Sequence, residues 1–70
     1  YRVVVTNANV PNMLGQISTA MAQGGLNIHD MINQSRNTLA YTVVDTDSPI
    51  APDMVARLQA IDGVLHARIV

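Results

Sequence analysis

Asparagine side chains are the groups in this sequence whose type and spacing best suit the binding of a small molecule. Asn7 and Asn9 stand in a short loop, Pro11 follows them, and Asn27 comes after a glycine pair further along the chain. Each amide supplies donors and an acceptor, so it can hold an ammonium or a hydroxyl group. A helix start after the loop adds free backbone N–H groups that suit a carboxylate. This combination suits the binding of a small zwitterion. The residues support equally the alternative that Asn7 and Asn9 only turn the chain.

The sequence lacks the combinations of residues that catalysis or metal binding would need. There is no cysteine, so no thiolate can act as a nucleophile or a metal ligand. The serines have no glycine-framed elbow, and no two aspartates lie three or four residues apart, as a shared helix face requires. His29 with Asp30 offers a metal ligand at most, and a solvated strand edge is the interpretation that we prefer. We therefore expect no catalytic residue, no metal ion and no cofactor in this domain.

The composition limits the chain to one domain with few surface charges. Seventy residues bury only a thin core, yet 49% of them are hydrophobic and 13% are charged. We therefore expect the chain to bury further surface against a second copy or a larger parent chain.

The same composition argues against several partners. A net charge of -1 and the absence of Phe and Trp disfavour nucleic acid. No apolar run is long enough to cross a bilayer, so we expect no membrane partner. The lack of cysteine is compatible with a reducing compartment, and we expect a cytoplasmic location.

Hydrophobic alternation and turn residues predict six elements in the order β-α-β-β-α-β. The expected strands are residues 1–6, 26–36, 39–46 and 64–70, and the expected helices run from 11–12 to 24–25 and from about 52 to 63. The first and third strands are apolar on both faces and are predicted to be central, while the other two are predicted to be edges. Right-handed crossovers then give an α+β, ferredoxin-like sandwich with sheet order 4-1-3-2 and both helices on one face.

Local signals add finer expectations within this fold. Asn9 or Val10 is expected near the cap of the first helix, and Asn9 is the better capping residue. One glycine of the pair at 24–25 is predicted to supply the left-handed residue after the first helix, and Gly63 is predicted to be the C-cap of the second.

Gly15 costs about 1 kcal/mol against alanine inside a helix, which predicts the close approach of a strand, a ligand or another helix. Ile28 and Ile32 are expected to share one face of the second strand with Asp30 between them, a pattern that suits an edge strand and allows for a bulge.

Two short motifs and the end of the chain carry a resemblance that covers essentially all residues. They are NVPNMLG at 9–15, GGLNI at 24–28 and IDGVLHAR at 61–68. In these stretches the chain resembles the ACT domain family, and within it the regulatory domains at the C-terminal end of D-3-phosphoglycerate dehydrogenases. The resemblance implies that residues 1–70 form a single regulatory domain cut from the C-terminal end of a larger enzyme.

The family pattern reads His-x-Asn-x-Pro-Gly, then a helix, then Gly-x-Asn-Ile. Asn7 replaces the family histidine and Asn12 replaces the family glycine, whereas the asparagine, the proline and the later Asn-Ile pair are retained. The resemblance implies that the two retained asparagines bind the ligand and that backbone N–H groups at the helix start cradle its carboxylate. The ligand-binding residues predicted in this way are Asn7, Asn9, Pro11, Asn12, Met13, Leu14, Asn27 and Ile28.

The resemblance also implies a function. The domain is expected to bind a small amino acid, with L-serine first, and to give allosteric feedback control of a phosphoglycerate dehydrogenase-like enzyme in serine biosynthesis. NAD is then expected in the catalytic part of the parent chain. Two alternatives stay open. One is a purely structural dimerisation module with a decayed site, and the other is an enzyme of the acylphosphatase kind, although the first loop lacks the arginine of that enzyme.

The predicted topology separates the two groups of asparagines. The first strand ends at the top of the sheet and the second begins at the bottom, so Asn7 and Asn9 are expected to lie about 17 Å from Asn27. If two copies pair through their second strands, the twofold axis carries Asn27 of the second copy to the top. We therefore expect a homodimer through the second-strand edge, with an effector site shared between the chains.

Overall fold

The computed structural model describes all residues from 1 to 70, and it has the six predicted elements in the predicted order. The elements are β1 (Arg2–Ala8), α1 (Met13–Gln23), β2 (Ile28–Arg36), β3 (Leu39–Thr46), α2 (Pro52–Gln59) and β4 (Val64–Ile69). The strands form one antiparallel sheet in the order β2-β3-β1-β4, which is the predicted order read from the opposite edge. The ferredoxin-like fold class is therefore confirmed. Neither helix has the length and apolarity needed to cross a membrane.

The core lies between one face of the sheet and the two helices. Alternate residues of the central strands are buried there, because successive side chains of a strand point to opposite faces. Ile17 of α1 and Leu58 of α2 are both fully buried against this sheet face. Burying one such side chain is worth about 1.5–3 kcal/mol relative to leaving it exposed. The opposite face of the sheet carries no helix.

The first helix begins at Met13, and Asn12 occupies its N-cap position. Asn12 has φ 66° and ψ 12°, the left-handed conformation that asparagine tolerates better than most residues. The side chain of Asn9 donates instead to the backbone carbonyl of Asn37. The prediction that Asn9 caps the helix is therefore wrong, because the turn between β2 and β3 engages this side chain.

An irregularity at the start of β2 exchanges the faces of the strand. His29 is an extra residue, since Ile28 and Asp30 pair with adjacent residues of β3. One extra residue shifts the alternation by one position. Ile28 and Met31 consequently pack against the core, whereas Ile32 is 48% exposed on the uncovered face. The bulge allowed by the sequence is present, but the expectation that Ile28 and Ile32 share a face is wrong.

Two glycines with positive φ occupy turns that follow the helices. Gly25 has φ 80° and supplies the left-handed residue predicted after α1. Gly63 has φ 98°, but it lies in the turn before β4, and Ala60 is the C-cap of α2. The prediction that Gly63 caps the second helix is therefore wrong. Its turn instead contacts the first loop, where the carbonyl of Gly63 accepts the N–H of Ala8 at 2.7 Å.

Candidate functional site

The loop between β1 and α1, residues 9–12, is anchored by two other turns. Ala8 donates its N–H to the turn before β4, as described above. Asn9 donates its backbone N–H to Thr38 O at 2.8 Å and its Nδ2 to Asn37 O at 3.0 Å. The side chain of Asn9 thus has a fixed amide nitrogen, while its Oδ1 makes no hydrogen bond within the chain. Asn9 and Pro11 are both exposed in this loop.

The N-terminus of α1 has backbone donors that the helix does not use. The first backbone hydrogen bond of the helix runs from the N–H of Gln16 to the carbonyl of Asn12 at 3.1 Å. The N–H groups of the three preceding residues have no side-chain cap, and the first turn contains no acidic residue. The positive end of the helix dipole is therefore open to an anionic group. Leu14 is 40% exposed here, while the side chain of Met13 is only 3% exposed and belongs to the core.

Asn12 explains the glycine inside the helix. A Cβ atom added to Gly15 would lie 2.6 Å from Asn12 Oδ1, which is too close for an ordinary contact. No strand and no other helix approaches Gly15, so these two expectations are wrong, because the neighbouring group is the side chain of Asn12 at the same helix start. Asn12, which stands where the family has glycine, therefore packs against Gly15. The approach of a ligand to Gly15 stays a prediction.

Asn7 faces the interior of the protein. The prediction that Asn7 lies in the loop is wrong, because the strand β1 continues to Ala8. Asn7 therefore lies on the same face as Val5 and is 1% exposed. Its Oδ1 accepts from Thr42 Oγ1 at 3.0 Å, and its Nδ2 donates to Ala8 O at 2.9 Å. Thr42 Oγ1 accepts in turn from Asn33 Nδ2 at 3.0 Å. These side chains form a polar row across β1, β3 and β2, and in this conformation Asn7 is not available to a ligand.

Asn27 lies at the opposite end of the sheet and is exposed. Its Nδ2 donates to Asp47 Oδ2 at 2.8 Å, and its backbone carbonyl accepts the N–H of Asp47 at 3.2 Å. The residue is therefore held through both its backbone and its side chain. Its Oδ1 makes no hydrogen bond within the chain.

The strand register gives the separation of the two asparagine groups. Asn7 pairs with Ala40, and Ile28, the residue after Asn27, pairs with Thr46. Positions 40 and 46 of one strand are about 20 Å apart at ~3.3 Å per residue. The predicted separation is confirmed, so Asn9 and Asn27 of one chain cannot contact the same small ligand.

Charged side chains lie near Asn27. Arg2 donates Nε to Asp45 Oδ1 at 2.7 Å and Nη2 to Asp45 Oδ2 at 3.1 Å. The hydrogen bond from Arg2 holds the pKa of Asp45 below its usual value, and the same bond raises the pKa of Arg2. Asp47 has no arginine partner, and its Oδ1 lies 3.5 Å from His29 Nδ1. No three His, Cys, Asp or Glu side chains come together in a way that could hold a metal ion.

The isolated chain brings few of the predicted residues into one concavity. Asn12 alone among them lines a surface depression, which runs along α1 towards Ile61. The other three depressions contain none of the predicted residues. Thr42 and Asp47, which donate to or accept from candidate asparagines, were missed because the predicted strand order does not give the register that places these side chains beside the asparagines.

Comparisons with known proteins agree on the fold. No family model matches the chain. It is 28% identical over 68 residues to D-3-phosphoglycerate dehydrogenase of Haemophilus influenzae, a match that covers 97% of this chain and 17% of that protein. Among solved structures, it is similar to the ACT domain of GTP pyrophosphokinase from Chlorobium tepidum, with a TM-score of 0.79 and 11% identity over 96% of this chain and 91% of that one.

A second solved structure shows the same similarity. It is the C-terminal domain of the MgtC protein from Mycobacterium tuberculosis, with a TM-score of 0.67 and 13% identity over 96% of this chain and 80% of that one. Together these similarities confirm the ACT-domain fold that the motifs predicted. The chain spans only a small part of the dehydrogenase that it matches, as the 17% coverage shows.

The polar row predicts a stability difference between two threonines. Thr42→Val removes the hydroxyl that joins Asn7 to Asn33 and leaves the buried Oδ1 of Asn7 without a donor. We expect a loss of about 1–3 kcal/mol in the free energy of unfolding, measured by urea denaturation. Thr6→Val is the control, because this half-buried threonine of β1 makes no side-chain hydrogen bond, and we expect a change within about 0.5 kcal/mol. Equal effects of the two substitutions would contradict a stabilising polar row.

The packing of Asn12 against Gly15 predicts that their substitutions are coupled. Gly15→Ala gains up to about 1 kcal/mol of helix propensity where there is space for the methyl group. We expect that gain in the Asn12→Gly background and a smaller gain, or a loss, when Asn12 is present. A double-mutant cycle measured by chemical denaturation reports the coupling free energy. A coupling of zero within error would show that Asn12 does not restrict position 15.

Proposed function

We propose that this chain is a non-catalytic regulatory domain that binds a small amino acid, L-serine first, in a site shared by two copies. The observation that carries the proposal is the uncapped N-terminus of α1 beside Asn9, in a domain with the ACT fold. The helix start suits a carboxylate, and the free Oδ1 of Asn9 suits a hydroxyl or an ammonium group. An α-amino acid has these groups within a few bonds of each other.

The proposal assigns the two halves of the site to different chains. Asn9, Pro11, Asn12 and the N–H groups near Met13 and Leu14 form the half at the top of the sheet. Asn27 and Ile28 form the half at the bottom, about 20 Å away at ~3.3 Å per residue. A twofold axis across β2 brings the lower half of one copy to the upper half of the other.

The β2 edge supports this arrangement. β2 is an outer strand of the sheet and pairs only with β3, so its second edge has unpaired backbone groups. Ile32 is the central residue of the nine in β2 and is 48% exposed. Antiparallel pairing about this residue would satisfy the backbone groups and cover an exposed apolar side chain. The same pairing would bury Asn33 at the end of the polar row.

The parent enzyme is part of the proposal. The similarity to D-3-phosphoglycerate dehydrogenase over 97% of the chain supports an oxidoreductase as the protein that this domain regulates. Feedback control then follows if the effector favours one arrangement of the parent's domains, because a ligand shifts an equilibrium by its difference in affinity between the states. The proposal places NAD binding and the reaction of serine biosynthesis in the catalytic part of that parent. It assigns neither of them to a residue of this chain.

One observation favours a second candidate, a structural dimerisation module with a decayed effector site. Asn7 stands where the family has histidine, and its side chain is 1% exposed and hydrogen-bonded within the chain. One of the four asparagines predicted to bind ligand is therefore engaged in hydrogen bonds within the chain. Under this candidate, Asn9 only fixes the first loop against the turn at Asn37.

Calorimetric titration with L-serine, glycine and L-alanine tests whether the site binds amino acids. We expect saturable binding of L-serine and a loss of affinity of about tenfold or more in Asn9→Ala and in Asn27→Ala, since a hydrogen bond to a charged group is worth ~1.5–3 kcal/mol. Gln59→Ala is the matched control, because Gln59 also donates one amide N–H to a backbone carbonyl, that of Ala67 at 3.0 Å. A folded chain that binds none of the amino acids would favour the dimerisation module.

Sedimentation tests the proposed dimer and its link to the ligand. We expect Ile32→Lys to weaken self-association, because it places like charges beside each other on the twofold axis. Leu65→Lys is the control on the other edge strand, where the side chain is 61% exposed, and should leave association unchanged. L-serine should strengthen the dimer by mass action, so the apparent affinity of the chain for L-serine should rise with protein concentration. An affinity independent of protein concentration across the transition would exclude a shared site.

A further inference from the structure

We propose that Asp47 is a positioning residue that fixes the amide of Asn27 with its carbonyl oxygen towards the ligand, so that this half of the site selects an ammonium group. The inference rests on the proposed function, because it assumes that Asn27 contacts an effector. It adds the chemistry that Asn27 presents and names the residue that decides it.

The argument begins with the hydrogen-bonding capacity of the two side chains. An ionised carboxylate only accepts hydrogen bonds, whereas an amide can either donate or accept. The contact of 2.8 Å between Asn27 and Asp47 Oδ2 therefore requires the NH₂ group of Asn27 to face Asp47. The opposite amide rotamer would bring two acceptor oxygens together. The amide orientation thus follows from the chemistry of Asp47.

The backbone makes this arrangement rigid. The N–H of Asp47 donates to the carbonyl of Asn27 at 3.2 Å, alongside the side-chain hydrogen bond. Two hydrogen bonds between the same residues hold the relative position of β2 and the end of β3. Rotation of the Asn27 side chain would break one of them. The Oδ1 of Asn27 is consequently the group left for a ligand, and a carbonyl oxygen accepts from an ammonium but repels a carboxylate.

The surrounding charges favour the same ligand group. Arg2 is paired with Asp45 through two hydrogen bonds, so its charge is already matched. Asp47 has no such cation, and its Oδ1 lies 3.5 Å from the exposed His29. The negative charge of Asp47 therefore acts on a group bound at Asn27. A zwitterion would place its ammonium here and its carboxylate at the α1 N-terminus of the second copy.

The test compares L-serine with 3-hydroxypropionate, which has the same carboxylate and hydroxyl but no amine. Both are titrated calorimetrically into the wild-type chain and into Asp47→Asn. We expect Asp47→Asn to lower the affinity for L-serine by about tenfold or more. The substitution removes the negative charge at position 47, and its amide no longer imposes one orientation on the amide of Asn27. Binding of 3-hydroxypropionate should not weaken. The ratio of the two affinities, which a general loss of stability does not alter, is the readout.

Two further variants separate positioning from general effects. Asp30→Asn is the matched control, because it removes the same charge from the nearby strand β2, while the Asp30 carboxylate accepts from the N–H of Met31 and makes no hydrogen bond with Asn27. The double variant Asn27→Asp with Asp47→Asn exchanges donor and acceptor, so that the amide at position 47 donates to the carboxylate at position 27. In it, the second carboxylate oxygen at position 27 faces the ligand, and selectivity for L-serine should be retained.

The outcomes distinguish this inference from the function on which it rests. If the wild-type chain binds neither compound, the proposed function fails and the inference fails with it. If it binds L-serine but Asp47→Asn keeps the wild-type ratio of affinities, only the role of Asp47 is overturned. A change of the ratio in Asp30→Asn as large as that in Asp47→Asn would likewise overturn positioning in favour of long-range electrostatics. Loss of selectivity in Asp47→Asn, with recovery in the double variant, supports the inference.

Discussion

Burial of one sheet face beneath α1 and α2 decides what most side chains of this protein can do. Successive residues of a strand alternate between the faces, so strand position determines whether a side chain packs under the helices or remains on the uncovered side. Val3 and Val5 belong to the covered face of β1, and Asn7 follows them there. A polar group in that position needs an internal partner, because an unpaired buried amide would be costly. Thr42 supplies that partner on the adjacent strand.

The same topology gives the proposed site its two-chain character. The β1–α1 loop and the start of β2 lie at opposite ends of the sheet, and no rearrangement of side chains could join them around one small ligand. A second copy related by a twofold axis would complement both ends at once. A domain built in this way would couple ligand binding to association, since each ligand would contact two chains.

The two departures from the family pattern have separate physical explanations. Asn12 takes the left-handed conformation that a glycine would adopt freely, and asparagine is one of the few residues that tolerate it. Its side chain then occupies the space over Gly15. Asn7 is different, since it is integrated into the polar row of the core. The first substitution therefore preserves the backbone of the loop, whereas the second gives the position an internal role.

Hydrophobic alternation, β-branched runs and turn residues were sufficient to predict the order of the elements and of the strands, because these signals are local and right-handed crossovers leave few topologies. The motifs were likewise enough to predict the ACT-domain fold, as the similarity of the structure to a known ACT domain confirms. Tertiary structure decided the features that depend on a neighbour from elsewhere in the chain. Asn9 bonds to the turn at Asn37 rather than to the helix, and the bulge at His29 sends Ile32 to the uncovered face. Asn7 turns inward to a partner that is 35 residues away in sequence. Such contacts form only when the sheet has assembled, so local patterns in the sequence could not reveal them.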